Sequence, residues 1–184
     1  EFVKRRQAQS AIYSTKHRDA LVARCHERNI ALASHDDATL EHVEESKAYG
    51  VTVAEFPTTM DAAKASHDAG MGVLMGAPNV VRGRSHSGNI AARSLADVDV
   101  LDVLSSDYVP FSLVHAPFIL ADTVEHFDLP KAMALVTSNP ARTVGLHDRG
   151  RLEEGLRADA VRVRRREGEV PVVGAVWREG RRVA

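Results

Sequence analysis

The chain has 184 residues, 44% of them hydrophobic, and a formal net charge of -1, an ordinary globular composition with apolar side chains enough for one sizeable core. The near-neutral balance argues against nucleic acid as a partner, no apolar run reaches the length of a membrane span, and no basic-then-apolar leader argues for secretion. The lone cysteine, Cys25, excludes an internal disulfide framework and fits a reducing, cytoplasmic compartment.

A long helix is predicted over residues 4–29, with Ala8, Ala11, Ile12, Leu21, Val22 and Cys25 as a sparse apolar face. Residues 30–33 read as a short strand running into Ser34-His35-Asp36-Asp37, and 39–49 as a helix closed by Gly50. A β-branched strand over 51–56 ends at Pro57, a helix over 60–69 ends at Gly70, and 72–75 is the next strand. Gly, Ser, His, Asn and Arg then crowd what reads as one loop up to Asn89. After a short helical span comes a fourth strand over 101–105, ended by Asp107. Helices are predicted over 110–125 and 129–138; Asn139-Pro140 breaks the second, and 141–146 continues as a third. From Asp159 the period changes to two, giving a β-meander with a charged turn at 164–168 and Trp177 packing the tail.

Strands alternating with helix-sized crossovers predict an α/β fold with a parallel sheet, either doubly wound or a (β/α)8 barrel. Four strand-helix units are half of an eightfold barrel, and a β-meander this small is marginal without partner strands. The expectation is the carboxyl half of a larger α/β enzyme, residues 1–150 forming the half-barrel and 151–184 a β segment. The opening Glu1-Phe2-Val3, without methionine, is open between a processed product, an expression product and a fragment, and the run of elements along the chain favours a fragment.

Four strand ends carry polar groups: 34–37, 55–59, 77–79 and 105–107. In a parallel sheet all four lie on one face. Imidazole and carboxylate converging there suit a divalent metal that activates water, with His35 as a ligand and Asp107 as ligand or proton acceptor. The plainer alternative makes Asp36 or Asp37 the N-cap of the next helix. The loop at 82–89 suggests anion recognition. Arg82 and Arg84 offer fork-shaped donors, Ser85, Ser87 and Asn89 neutral ones, and Gly83 and Gly88 allow close backbone approach. It lacks the lysine of a P-loop, and a solvated turn is the alternative. His86 is open between ligand, general acid and substrate contact. With Asn79, the candidate substrate contacts are Asn79, Arg82, Ser85, His86 and Asn89. The remaining helix and connector histidines read as structural.

Five segments come in a familiar order: Ala-Ser-His-Asp-Asp-Ala-Thr (33–39), Ala-Glu-Phe-Pro-Thr-Thr (54–59), Met-Gly-Ala-Pro-Asn-Val-Val-Arg-Gly (75–83), Ser-His-Ser-Gly-Asn (85–89) and Leu-Ser-Ser-Asp-Tyr-Val-Pro (104–110). On them the chain resembles the amidohydrolase superfamily, and within it the diphosphatases of the bacterial carbon–phosphorus lyase pathway. The resemblance implies strands five to eight of a TIM-type barrel plus a closing β segment. It implies hydrolysis of a ribose 1-methylphosphonate 5-triphosphate to the 5-phosphate and pyrophosphate, with a divalent metal, zinc being the expected ion. By that likeness His35 is the metal histidine after the fifth strand, and Asp107 the metal ligand and proton acceptor after the eighth. The chain departs in three ways. The sixth strand ends in Glu55-Phe56-Pro57 with no histidine, a place His86 is the candidate to fill; Arg84 stands where a small residue such as glycine is expected; and the superfamily's first-strand His-x-His pair and fourth-strand bridging residue are absent. The isolated chain is therefore expected to be inactive, and to associate with itself or with a missing amino-terminal half. The rival readings are another amidohydrolase, opening a cyclic amide or deaminating a base, and a non-catalytic relic or assembly subunit. A small phosphorylated sugar is the expected partner, with neither nucleic acid nor membrane.

Overall fold

Strands β1 (Ala33–His35), β2 (Val53–Glu55), β3 (Gly72–Gly76) and β4 (Val103–Ser105) pair in parallel, in sequence order. The structure is a computed structural model and describes residues 1–85, 88–166 and 168–184. In register, Ala33 faces Val53, Val53 faces Gly72 and Leu74 faces Val103. The carboxyl ends of all four strands therefore rise on one side, the placement the alternating pattern predicts.

The first helix is α1 (Phe2–Glu27), and α2 (Leu40–Ala48) and α3 (Met60–Asp68) connect the first three strands. Thr39 and Thr59 cap α2 and α3, their hydroxyls accepting from the His42 and Ala62 N–H groups. Between β3 and β4 lie α4 (Ala77–Arg82) and α5 (Ala92–Asp97). One device returns the chain from helix to strand. Asn29, Gly50, Gly70 and Asp99 take φ of 51°, 70°, 81° and 61°. The next residue's N–H then reaches back: Ile30 to the Cys25 carbonyl at 2.9 Å, and Val51, Met71 and Val100 to those of Ser46, Ser66 and Leu95 at 3.0 Å each. These are Schellman closures, which satisfy carbonyls a helix end leaves orphaned and turn the chain sharply.

After β4 come α6 (Ser112–Thr123), α7 (Leu129–Ala134) and α8 (Ser138–Thr143), then the antiparallel strands β5 (Ala160–Arg164), β6 (Val172–Arg178) and β7 (Arg181–Arg182). The main core joins Val73, Met75 and Leu104 of the sheet to Leu95, Leu120 and Leu135. A smaller cluster of Val43, Ala54, Ala62 and Met71 lies under α2 and α3. At the opposite end of the sheet from the polar strand ends, Asp102 Oδ2 accepts from the Val73 N–H at 2.9 Å and sits 3.0 Å from His67 Nδ1, tying α3 to the starts of β3 and β4. No helix among the described residues is long and apolar enough to cross a membrane.

Four expectations change. The loop expected from residue 76 begins instead with α4: Pro78 falls in its first turn, where its missing N–H costs nothing, and Gly83 at φ 77° ends it. Asn139-Pro140 breaks no helix, because Pro140 lies in the first turn of α8 and the chain turns earlier, at 135–137. Arg165, expected in an exposed turn, bridges to Asp122 and lies over the Phe118 ring at 5.0 Å, tying the β segment to α6. Finally, α1 buries no residue, so its predicted apolar face is exposed at Ile12 and Leu21.

Candidate functional site

β1, β2 and β4 each hand over to a non-glycine residue at positive φ: Asp36 at 60°, Phe56 at 53° and Asp107 at 46°. L-residues seldom adopt this conformation, and for a bulky one such as Phe56 it stores strain of order ~1–3 kcal/mol. All three side chains line one cleft of about 290 Å³. The strand ends thus kink alike to turn these side chains into a common space.

β3 ends differently, at Gly76. A Cβ there would stand 3.5 Å from Asp107 Oδ2 and 3.7 Å from its Cβ. The Asp107 carboxylate therefore lies beside the end of β3, at a distance a Cβ on residue 76 would meet in ordinary van der Waals contact. Asn79 and Arg82, one turn apart on α4, also line the cleft. Asn79 Oδ1 accepts the Ala92 N–H at 3.0 Å, joining α4 to the start of α5. Arg82 Nη2 donates to the Tyr108 hydroxyl at 2.6 Å. Ser85 and Asn89 complete that wall.

The rim is tied by backbone. The Thr58 N–H donates to the Asp37 carbonyl at 2.9 Å, and the Ile90 N–H to the Thr58 carbonyl at 3.1 Å. Asp37 itself is buried and takes the Ser46 hydroxyl on Oδ2 at 3.0 Å. Neither Asp36 nor Asp37 caps α2, since Thr39 holds that role.

His35 is half exposed, its Nδ1 3.1 Å from Asp36 Oδ2 and its ring edge-on to Phe56 at 5.5 Å. It stands on edge strand β1, while Asp107 follows the other edge strand, β4. Among the described residues, no three His, Cys, Asp or Glu side chains gather to hold a metal ion. The donors present do not by themselves fit the metal the sequence implies. His86 and Ser87 lie outside the described residues.

The structure thus brings Asp107, Asn79, Arg82, Ser85 and Asn89 to one cleft and leaves His35 at its margin. Sequence reasoning missed Phe56 and Tyr108. The available signal was adjacency, since each follows a strand-end acid or its neighbour within a quoted segment.

A parallel sheet whose polar strand ends open on one cleft is an architecture shared with metal-dependent hydrolases, and the Amidohydrolase family profile matches residues 12–178. The chain belongs to the amidohydrolase family. It is 53% identical over 177 residues to the alpha-D-ribose 1-methylphosphonate 5-triphosphate diphosphatase of Escherichia coli (strain K12), a match covering 96% of this chain and 47% of that protein. Among solved structures, it resembles an uncharacterized protein (TM-score 0.65, 20% identity, 89% of this chain and 48% of that one). It also resembles an amidohydrolase (TM-score 0.63, 16% identity, 89% and 46%) and the A. niger ochratoxinase (TM-score 0.62, 15% identity, 88% and 43%). These structural likenesses bear on fold alone. The chain spans about half the length of the relatives it matches.

Proposed function

We propose that the chain is the carboxyl-terminal half, strands five to eight, of a (β/α)8 amidohydrolase barrel that hydrolyses α-D-ribose 1-methylphosphonate 5-triphosphate to the 5-phosphate and pyrophosphate. The observation that carries this reading is the 53% identity to the E. coli diphosphatase over 96% of the chain. The half-barrel is supported by the order β1-β2-β3-β4, which leaves β1 and β4 each with one strand neighbour, the Leu104 N–H of β4 donating instead to the Leu135 carbonyl at 2.9 Å, and by α1, which buries nothing. An open parallel edge wants a neighbouring strand. On this reading the remaining half of the barrel is that neighbour, and residues 151–184 belong to the accompanying β subdomain.

In the reaction a water oxygen bonds to the α-phosphorus, and the bond from that phosphorus to the α,β-bridging oxygen breaks. The bridging oxygen departs with pyrophosphate. Asp107 takes the proton of the attacking water, and Arg82, steadied by Tyr108, meets negative charge on the phosphate oxygens. Asn79 keeps α4 and α5 in register around them. A divalent metal, zinc on this reading, supplies Lewis acidity and acidifies water when bound. His35 and Asp107 would be two of its donors, the rest coming from outside the described residues, and no step above is routed through it.

The test is a chimaera in which residues 1–184 replace the matching half of the E. coli relative. Pyrophosphate release from the ribose-phosphonate triphosphate is expected from the chimaera and only background from the isolated chain. A folded chimaera that releases none overturns the reading, and turnover by the isolated chain overturns the half-site.

A further inference from the structure

We propose that a second concavity beside the cleft, lined by Arg82, Arg84, Ser85, Gly88, Asn89 and Ala91, is a pyrophosphate subsite. It holds the β- and γ-phosphates of the substrate and then the leaving group. The proposal rests on the anhydride hydrolysis above and adds the direction in which the substrate lies. Arg82, Ser85 and Asn89 line both spaces and so form their common wall. The two differ in charge. The first cleft carries the carboxylates of Asp36 and Asp107, while the second carries two guanidinium groups and no carboxylate among its described lining.

A triphosphate concentrates its negative charge at the far end. On the reaction above Asp107 faces the α-phosphate, and the two guanidinium forks of the second space bind the end beyond it. The diphosphate end therefore runs away from Asp107, and the scissile bond falls near the shared wall. There Arg82 serves both sides, oriented by its 2.6 Å bond to the Tyr108 hydroxyl. The backbone suits the role. Gly83 and Gly88 adopt φ of 77° and 81°, and a Cβ at either would meet nothing within 4 Å among the described residues. These glycines are used for the turn and leave the space over them open. Arg84, the residue that breaks the expected small-residue pattern, then has a purpose in this chain: it adds a second fork where the leaving group carries most charge.

Calorimetric titration of the 184-residue chain with inorganic pyrophosphate and with inorganic phosphate, in chelator so that no metal complex forms, tests the assignment. Pyrophosphate is expected to bind more tightly than phosphate. Arg84→Ala should weaken pyrophosphate about tenfold, with phosphate affected less, and Arg84→Lys should restore part of the loss. Arg149→Ala, at a partly buried arginine that lines neither space, should alter neither. Circular dichroism of each variant checks its fold. Equal binding of the two anions, or equal losses in Arg84→Ala and Arg149→Ala, overturns the subsite. The chimaera separates this from the function: turnover with pyrophosphate inhibition indifferent to Arg84 overturns the subsite alone. Arg84-dependent pyrophosphate binding by a chain whose chimaera is inert overturns the reaction alone.

Discussion

Asp107 combines a carboxylate, a left-handed backbone at φ 46° and a place beside the end of β3 at Gly76. Aspartate tolerates this conformation better than most residues, so Asp107→Asn preserves shape while removing the proposed proton acceptor. In the chimaera we expect pyrophosphate release to fall by about 10²–10⁴-fold, with the circular dichroism spectrum unchanged. A loss under threefold would remove Asp107 from the chemistry. The polar members of this site were legible because an acid, an asparagine or an arginine at a strand end announces chemistry by residue type. Phe56 and Tyr108 were not. An aromatic side chain reads as core, and nothing in the letters says that Phe56 adopts a positive φ or that Tyr108 orients a guanidinium.

Helix ends were the most legible elements, since Gly50 and Gly70 stand where a Schellman closure needs positive φ. The closure at Asp99 was not read, because aspartate adopts that conformation only when the following N–H finds its carbonyl. Helix α4 was missed for a related reason: Ala-Pro-Asn-Val-Val-Arg-Gly has loop composition, yet Pro78 sits where a helix accepts it. The glycines themselves divide by environment. At Gly70 a Cβ would meet nothing within 4 Å, so Gly70→Ala costs only the backbone conformation, about 1 kcal/mol. At Gly150, φ 92°, a Cβ would fall 2.9 Å from both Ser138 Cα and the Thr137 carbonyl oxygen, where backbone must shift. Gly150→Ala is therefore expected to cost about 2–4 kcal/mol and to loosen α8 from the segment after it. Urea unfolding of the two variants checks the contrast, and equal midpoints would refute it.

Across the whole molecule, stability is distributed unevenly. The main core gathers around β3, β4, α5 and α6, with Leu95 and Leu120 fully buried. At the other edge, β1 has only the small cluster under α2 and α3 nearby, and α1 leans on α2 through polar contacts: the Tyr49 hydroxyl donating to Asp19 at 2.8 Å, Arg18 paired with Glu45, and His26 Nε2 3.0 Å from the Tyr49 carbonyl. Exposed pairs of this kind contribute ~0–1 kcal/mol each. A helix in water with no buried face has little to hold it beyond its own propensity. The counting of strand-helix units made the four-stranded parallel sheet legible, but this gradient was not, because sequence periodicity shows that α1 has an apolar stripe and not whether anything covers it. The gradient sets an order of opening. In native-state hydrogen exchange of the isolated chain, amides of α1 and β1 should exchange through local opening, well below the global free energy, while those of β3, β4 and α6 exchange last. In the chimaera, where on the proposed reading the other half of the barrel covers Ile12 and Leu21, protection of α1 should rise toward that of α6, and protection of β3 should change least. Equal protection of α1 and β3 in the isolated chain would mean that α1 is already held by contacts the apolar stripe does not need, and the open edge would then lie elsewhere.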